Sequence, residues 1–198
     1  TTGTRCSAMP VERTRPLYLA LDQGGHASRA LVFDAHGVAQ ASSLREVQVH
    51  HPQADWLEQD PDDLVVSLLD ATREVLHELG ARAAQIVSAG LATQRSSIVC
   101  WDRVTGQALS PVISWQDRRA HEWLARFAAH AEAIHATTGL MLSAHYGASK
   151  LRWCLDHLPA VQRAAVTGDL ACGPLSSFLV TRLTEERRVA GERLDRER

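Results

Sequence analysis

Residues 17–28 read LYLALDQGGHAS, and this stretch decides the fold. An apolar run rich in strand-forming residues ends in Asp22 and is followed at once by Gly24 and Gly25. Such a strand aims a carboxylate at one point, and the two glycines let the backbone turn tightly and bring its N–H groups toward an anion. Arg29 adds a cation. The pattern predicts a phosphate-contacting hairpin, with an ordinary hairpin turn as the alternative.

Composition limits the function classes. The chain has 198 residues, of which 45% are hydrophobic and 22% charged, and this suits one domain with a sizeable core. A formal net charge of −2 gives no electrostatic footprint for nucleic acid. No apolar run approaches the roughly 18 residues of a membrane span, and no signal peptide is recognised. We expect a cytoplasmic protein with no nucleic-acid or membrane partner.

Metal-binding motifs are not apparent in the sequence. The 4 cysteines are far apart and form no C-x-x-C pair, so neither a zinc site nor a disulfide framework is indicated. Reduced thiols in a cytosolic protein are the expectation. The adjacent His50 and His51 precede a proline in a loop and are interpreted as solvated. No metal site built from the protein alone is predicted.

The two ends of the chain differ from its middle. Residues 1–16 are polar and unpatterned, and we predict a disordered or non-native extension there. Residues 185–198 are dominated by Glu and Arg and form a charged tail, either a frayed helix or the product of a truncated or shifted reading frame. The folded domain is predicted to occupy residues 17–184.

The first half of this domain is predicted to be rich in strands. Three strands joined by tight turns form an antiparallel meander, over residues 17–22, 29–33 and 38–47. A helix then begins after Asp60, the expected N-cap, and ends near Gly80. A strand over residues 85–92 should return beside the first strand and parallel to it.

The second half is predicted to be mainly helical. A strand pair over residues 97–101 and 108–115 precedes helices over residues 118–130, 149–158 and 176–183. This order predicts an α/β domain of the ribonuclease H-like type, in which a mixed sheet with an antiparallel three-strand meander is flanked by helices.

Two polar clusters follow predicted strands, where ligands gather in open α/β sheets. In residues 93–97, Arg95 offers a fork of donors for several oxygens, with a solvated turn arginine as the alternative. In residues 114–119, Trp115 offers a flat face for the C–H side of a polyol or sugar, with Asp117 able to take hydroxyls. The alternative is a core tryptophan and an Asp117 that caps a helix.

Five segments in order carry a resemblance to a known family: LALDQGG..SRALVFD, DWLEQDPDDL, GLATQRSSIVCWD.VTG, SWQDRR and TGL.....YGASKLRWCLDH. The chain resembles the FGGY carbohydrate kinases, and within them the glycerol kinases, over about residues 17–183. The resemblance implies an actin-like ATPase fold of two domains with a cleft between them. It also implies transfer of a phosphoryl group from ATP, with Mg²⁺, to a sugar or polyol hydroxyl.

The resemblance also implies roles for individual residues. Asp22 matches the acidic residue near the phosphates and magnesium, and the loop that contacts the phosphates falls on Gly25, His26, Ala27 and Arg29. The substrate-binding positions fall on Arg95, Ser96, Trp115, His145 and Tyr146.

Several positions depart from the pattern of the glycerol kinases. Gly25 and His26 replace threonines, and Ser96 replaces a glutamate. His145 replaces a tyrosine, although the neighbouring Tyr146 could take the place of that tyrosine by a small shift. A related polyol or sugar fits these changes as well as glycerol does.

The family's general base opens the second domain, so no catalytic base is assigned here and the chain alone is expected to be inactive. Two hypotheses stay open. One is the amino-terminal half of a carbohydrate kinase, and the other is a degenerate, non-catalytic module that binds a polyol or a protein. In either case an apolar surface that normally faces the second domain is expected to favour self-association into a homo-oligomer.

Overall fold

The computed structural model describes residues 15–184. The fold begins with three antiparallel strands, which confirm the predicted meander: β1 (Leu17–Gln23), β2 (Ala27–Asp34) and β3 (Ala39–Glu46). The turn between β2 and β3 forms because Asp34 accepts backbone N–H bonds from His36 at 2.8 Å and Val38 at 3.0 Å. These two bonds lower the pKa of the Asp34 carboxyl.

Helix α1 (Pro61–Leu79) begins and ends as the sequence predicts. The Asp60 side chain accepts N–H bonds from Asp62 at 2.8 Å and Asp63 at 3.2 Å, so it is the N-cap. The helix ends at Gly80, whose φ of 55° favours glycine. The C-terminal half of α1 packs on the meander, and its N-terminal half joins a second cluster around Trp101 and Phe178.

A short 3-10 helix (Gly80–Gln85) leads to β5 (Ile86–Thr93), which pairs in parallel with β1. The first sheet therefore has the order β3-β2-β1-β5, with β4 (Glu58–Gln59) in another sheet. The parallel pairing confirms the prediction for this strand. Because β5 is an edge strand, its outer face is largely exposed, including 65% of Val87.

A second sheet has the order β4-β7-β6-β8. Its remaining strands are β6 (Ile98–Asp102), β7 (Val112–Ile113) and β8 (Leu170–Pro174). The strand predicted over residues 108–115 is reduced to a single bridge at Ala108 and the short β7. The reason lies at Ser110 and Pro111: the Ser110 hydroxyl accepts the Cys100 N–H at 2.9 Å, and proline has no N–H to continue the ladder.

The helices after β7 are α2 (His121–Ala125), α3 (Ala131–Thr138), α4 (Gly147–His157), α5 (Pro159–Thr167) and α6 (Leu175–Leu183). The predicted helix over residues 118–130 is wrong in extent, since only α2 and a 3-10 turn (Ala128–His130) form there. No residue of α2 is buried, so packing does little to extend it. The other two predicted helices correspond to α4 and α6.

The fold class is confirmed, since a mixed sheet with an antiparallel meander is flanked by helices. None of the helices within residues 15–184 combines the length and the apolar character needed to cross a membrane.

Candidate functional site

The candidate site lies at the edge where β1 and β5 both end. These strands run in parallel, with Gln23 opposite Thr93, so the segments that follow them emerge side by side. We call residues 24–26 the glycine loop and residues 94–97 the arginine loop. The Gln94 N–H donates to the Gln23 carbonyl at 3.0 Å and extends the ladder by one bond. The sheet topology thus brings together two segments that the sequence analysis had singled out separately.

The glycine loop is a tight turn. The Gly24 N–H donates to the Ala27 carbonyl at 2.9 Å, and a Cβ on Gly24 would lie only 3.2 Å from that oxygen. A Cβ on Gly25 would meet no atom within 4 Å, so the Gly25 backbone is open to an approaching group. His26 is exposed beside it. Glycine at position 24 is therefore favoured by close approach of the backbone, rather than by a positive φ.

Asp22 and Arg29 face each other across the hairpin. They are paired positions of β1 and β2, and Arg29 Nη1 donates to Asp22 Oδ2 at 2.9 Å. Both side chains are nearly half exposed, at 42% for Asp22 and 46% for Arg29. The five residues assigned to the phosphate side thus lie on one hairpin.

Trp115 lies on a third loop, residues 114–119, which we call the tryptophan loop. Its side chain is 38% exposed, so the alternative of a core tryptophan is wrong. The Trp115 ring is 5.4 Å from the His145 ring, which is 5.1 Å from the Tyr146 ring. The Trp115 N–H donates to Ser97 Oγ at 3.0 Å and joins this aromatic cluster to the arginine loop.

Arg95 and Ser96 occupy the arginine loop. Arg95 is exposed, and its guanidinium has no hydrogen-bond or ion-pair partner among residues 15–184. Ser96 has a φ of 63°, the left-handed conformation that serine rarely adopts. The chain therefore turns sharply between Arg95 and the buried Ser97.

Arg119, which the sequence analysis did not single out, supports the tryptophan loop from below. Its side chain is fully buried, with Nη2 donating to Asp117 Oδ2 at 2.7 Å. Nη1 lies 2.7 Å from Glu58 Oε1, an ion pair outside hydrogen-bond angles. The guanidinium packs against two indole rings, with its Cζ 4.1 Å from the Trp56 centroid and 4.5 Å from that of Trp153.

The Asp117 carboxylate is part of the same buried arrangement. Its carboxylate binds the Arg119 side chain and also accepts the Leu57 N–H at 2.7 Å. The proposed N-cap role is wrong, because α2 begins later and its N-cap residue, Ala120, makes no side-chain cap bond. Asp117 is 1% exposed, so it is also not available to bind a substrate hydroxyl as the sequence had suggested.

Lys150, also missed from the sequence, supports the aromatic cluster. Its ammonium is buried and donates to the carbonyls of Ala144 at 2.6 Å and His145 at 2.7 Å. Burial lowers the pKa of Lys150 to about 8, and the nearby Asp117 carboxylate opposes part of that shift. The lysine thus fixes the backbone that carries His145 and Tyr146.

Asp22 is the candidate metal ligand of this site. No group of three or more His, Cys, Asp or Glu side chains within residues 15–184 is arranged to hold a metal ion. Asp22 provides one accessible carboxylate next to the open glycine loop. A single carboxylate beside phosphate oxygens is the kind of environment that Mg²⁺ accepts, since it keeps several waters.

Comparison with known proteins agrees with this geometry. Residues 17–191 match the model of the FGGY family of carbohydrate kinases, N-terminal domain. The chain belongs to the FGGY family. Similar proteins include the glycerol kinases of Aromatoleum aromaticum, 40% identical over 168 residues, and Verminephrobacter eiseniae, 42% identical over 172 residues.

Those alignments cover 84% and 86% of this FGGY chain, and 34% of each glycerol kinase. The chain thus spans about a third of the length of the curated relatives that it matches. A xylulose kinase structure from Rhodospirillum rubrum is 27% identical with a TM-score of 0.70, over 87% of this chain and 34% of that one. A Plasmodium falciparum glycerol kinase structure with ADP has a TM-score of 0.78 at 23% identity, over 86% and 35%, and supports the actin-like fold.

Proposed function

We propose that this FGGY chain is the substrate-binding half of a kinase that transfers the terminal phosphoryl group of ATP to a hydroxyl of a sugar or polyol, in the manner of the glycerol kinases. The observation that carries the proposal is a juxtaposition. Arg95, which is exposed and has no side-chain partner among residues 15–184, and the partly exposed Trp115 lie on loops joined through Ser97, next to the open glycine loop.

The substrate side is suited to a polyhydroxylated carbon chain. The face of Trp115 packs against C–H groups, while the Arg95 guanidinium donates to two or more hydroxyls at once. Ser96, His145 and Tyr146 add donors and acceptors around the same pocket. A purely apolar ligand would leave these polar groups unpaired, so the proposed substrate class is a small polyol or sugar.

The phosphate side is assigned to the hairpin. Open backbone at Gly25, with His26 and Ala27, contacts the phosphates, and Arg29 contributes positive charge beside Asp22. Asp22 would hold Mg²⁺ directly or through water, and the bound ion would neutralise charge on the phosphate oxygens. These residues act by position and electrostatics rather than through a covalent intermediate.

The proposed reaction needs a general base, and we assign no residue of this chain to that role. A general base must reach the substrate hydroxyl, and the carboxylate next to the tryptophan, Asp117, is bound to Arg119. We assign the base and the adenine site to a second kinase domain, so the isolated chain is inactive. Use of ATP is compatible with the cytoplasmic location that we propose. The exposed outer face of β5 is a candidate surface for that domain or, in its absence, for self-association.

A non-catalytic module remains the second candidate. One observation favours it: Asp22, the residue assigned to magnesium, is already paired with Arg29 at 2.9 Å. Such a protein would bind a polyol without responding to MgATP.

The test is a calorimetric and thermal-shift titration of the chain with glycerol, xylulose and gluconate, with and without MgATP. We expect saturable binding of one of them, weakened about tenfold or more in Trp115→Ala and Arg95→Ala. Arg103→Ala is the matched control, since this exposed arginine lies at the other end of β6 from Ser97. Equal binding by all four proteins, or a folded chain that binds none of the polyols, would contradict the proposal.

A further inference from the structure

A chain of partly buried hydrogen bonds connects the glycine loop with the tryptophan loop. Its members are three glutamines, Gln23, Gln59 and Gln94, together with Ser97, and we call them the glutamine network. Gln23, Gln59 and Ser97 are at most 1% exposed. None of the four is charged. The network therefore lies inside the protein between the two loops assigned to phosphate and substrate.

Gln94 is the central member. Its side-chain nitrogen donates to Gln59 Oε1 at 2.6 Å and to Gln23 Oε1 at 3.1 Å, so both of its amide hydrogens are used. Its Oε1 accepts the Ser97 hydroxyl at 2.9 Å. A single side chain thus contacts all the other members.

The ends of the network are backbone groups. At one end, Gln59 Nε2 donates to the Gly25 carbonyl at 3.0 Å. At the other end, the Trp115 N–H donates to Ser97 Oγ at 3.0 Å. The path from Trp115 to Gly25 therefore consists of four consecutive hydrogen bonds, and each bond shares one residue with the next.

The direction of these bonds is fixed by the ends. A backbone carbonyl only accepts, so Gln59 must present its nitrogen to Gly25 and its oxygen to Gln94. Gln94 must then donate to Gln59, which leaves its own oxygen for the Ser97 hydroxyl. Flipping either amide would place two acceptors or two donors face to face. All four bonds point from Trp115 toward Gly25, an arrangement in which each bond polarises the next.

We propose that Gln94 is a positioning residue that couples the glycine loop to the tryptophan loop through this one-directional hydrogen-bond chain. The inference rests on the proposed function for the meaning of the two loops. Phosphoryl transfer requires the acceptor hydroxyl and the phosphate to be held in line, and a displacement of about 1 Å costs a large part of the rate. Gln94 touches neither ligand and acts by fixing the spacing between their loops.

The test breaks the chain at one end and measures the other end. Gln59→Met removes the bond to the Gly25 carbonyl and the bond from Gln94, and the readout is the backbone amide of Trp115 in ¹⁵N NMR spectra of the 198-residue chain. We expect an upfield shift of the Trp115 amide proton and hydrogen exchange that is about three- to tenfold faster. Gln162→Met is the matched control, because it also removes two side-chain bonds, to Leu155 and Asp156, but outside the network.

A second variant guards against loss of folding. In Gln94→Glu, the ionised side chain still accepts from Ser97 but no longer donates to Gln59, whereas the protonated acid regains one donor. We expect the Trp115 and Gly25 amide signals to move toward their wild-type positions as the pH is lowered through the glutamate titration. A merely structural residue would not produce this joint, reversible movement.

The outcomes separate the two proposals. A Trp115 amide that is unchanged in Gln59→Met, with effects confined to the glycine loop, would overturn the coupling. Failure of the folded wild-type chain to bind any of glycerol, xylulose and gluconate would overturn the proposed function instead, while the ligand-free amide measurements would still decide the role of Gln94.

Discussion

The two loops that meet at the candidate site are supported by opposite kinds of chemistry. The tryptophan loop rests on the fully buried Arg119, paired with Asp117 and enclosed by aromatic rings. The glycine loop rests on a neutral bond from Gln59 and on the Asp22–Arg29 pair, which is close to half exposed. One loop depends on buried charge, and the other on amides and a solvated ion pair.

This difference indicates how each loop can respond to a ligand. A buried ion pair is costly to break, because either partner alone would be an uncompensated charge, so the tryptophan loop is held in one conformation. An exposed pair is weak and screened, so Asp22 and Arg29 can exchange each other for phosphate or Mg²⁺ at little cost. Under the proposed function, a rigid substrate-binding loop would therefore face an adaptable phosphate-binding loop.

The largest effect is expected for Arg119→Met. The substitution leaves the Asp117 carboxylate buried without its cation, and we expect the free energy of unfolding to fall by about 3–5 kcal/mol. Urea unfolding followed by circular dichroism measures it. The control is Arg152→Met, which removes a surface ion pair to Asp156 and should cost less than about 1 kcal/mol. Equal losses of unfolding free energy in the two variants would contradict the proposed difference between buried and exposed ion pairs.

The contribution of the buried Lys150 to stability is expected to depend on pH. Its pKa is lowered to about 8 in the folded protein by burial, against 10.5 for an ordinary lysine. Between these values the unfolded chain holds more protons, so the stability of the wild type should rise with pH relative to Lys150→Met. The gain is at most about 3 kcal/mol, because the carbonyls of Ala144 and His145 favour the ammonium form.

The measurement for Lys150 is the difference in urea midpoint between wild type and Lys150→Met at several values from pH 7 to pH 10. Subtraction removes the titration of tyrosines and cysteines that both proteins share. Parallel curves would show that Lys150 is not desolvated and that the aromatic cluster lacks this buried support.

The parts of this molecule that could be predicted from the sequence are those with local causes. The meander and α1 follow from strand-forming runs, tight turns and the Asp60 cap, and the parallel position of β5 follows from chain order. Trp115 and Arg95 could be proposed as site residues because polar or aromatic residues stand where strands end.

The remaining features depend on residues far apart in the chain. From the sequence alone, Arg119 looks like a surface arginine. In the structure it packs against Trp56 and Trp153, and no local sequence pattern predicts that contact. β4 has only two residues, too few for a period-2 pattern. The glutamine network likewise joins Gln59 to Gln94 across 35 positions, so it became visible only in three dimensions.

A smaller effect is expected at Ser96, between the two loops. Its φ of 63° is strained for serine, so Ser96→Gly should raise the free energy of unfolding by about 0.5–1 kcal/mol after the entropy cost of glycine. Ser88→Gly is the control, because this exposed residue of β5 gains nothing from glycine and should lose stability. A loss in both variants would mean that the conformation of Ser96 carries no strain.

The smallest effect on stability is expected for Asp22→Asn. The ion pair with Arg29 is near 2.9 Å but solvated, so its removal should cost about 0.2–1 kcal/mol, and the cost should shrink as NaCl approaches 1 M. A double-mutant cycle with Arg29→Met isolates the pair from other effects of each change. A salt-independent coupling as large as the loss in Arg119→Met would make the glycine loop as rigid as the tryptophan loop. A weak, screened coupling would leave Asp22 free to exchange its arginine for Mg²⁺ and Arg29 free to turn toward a phosphate.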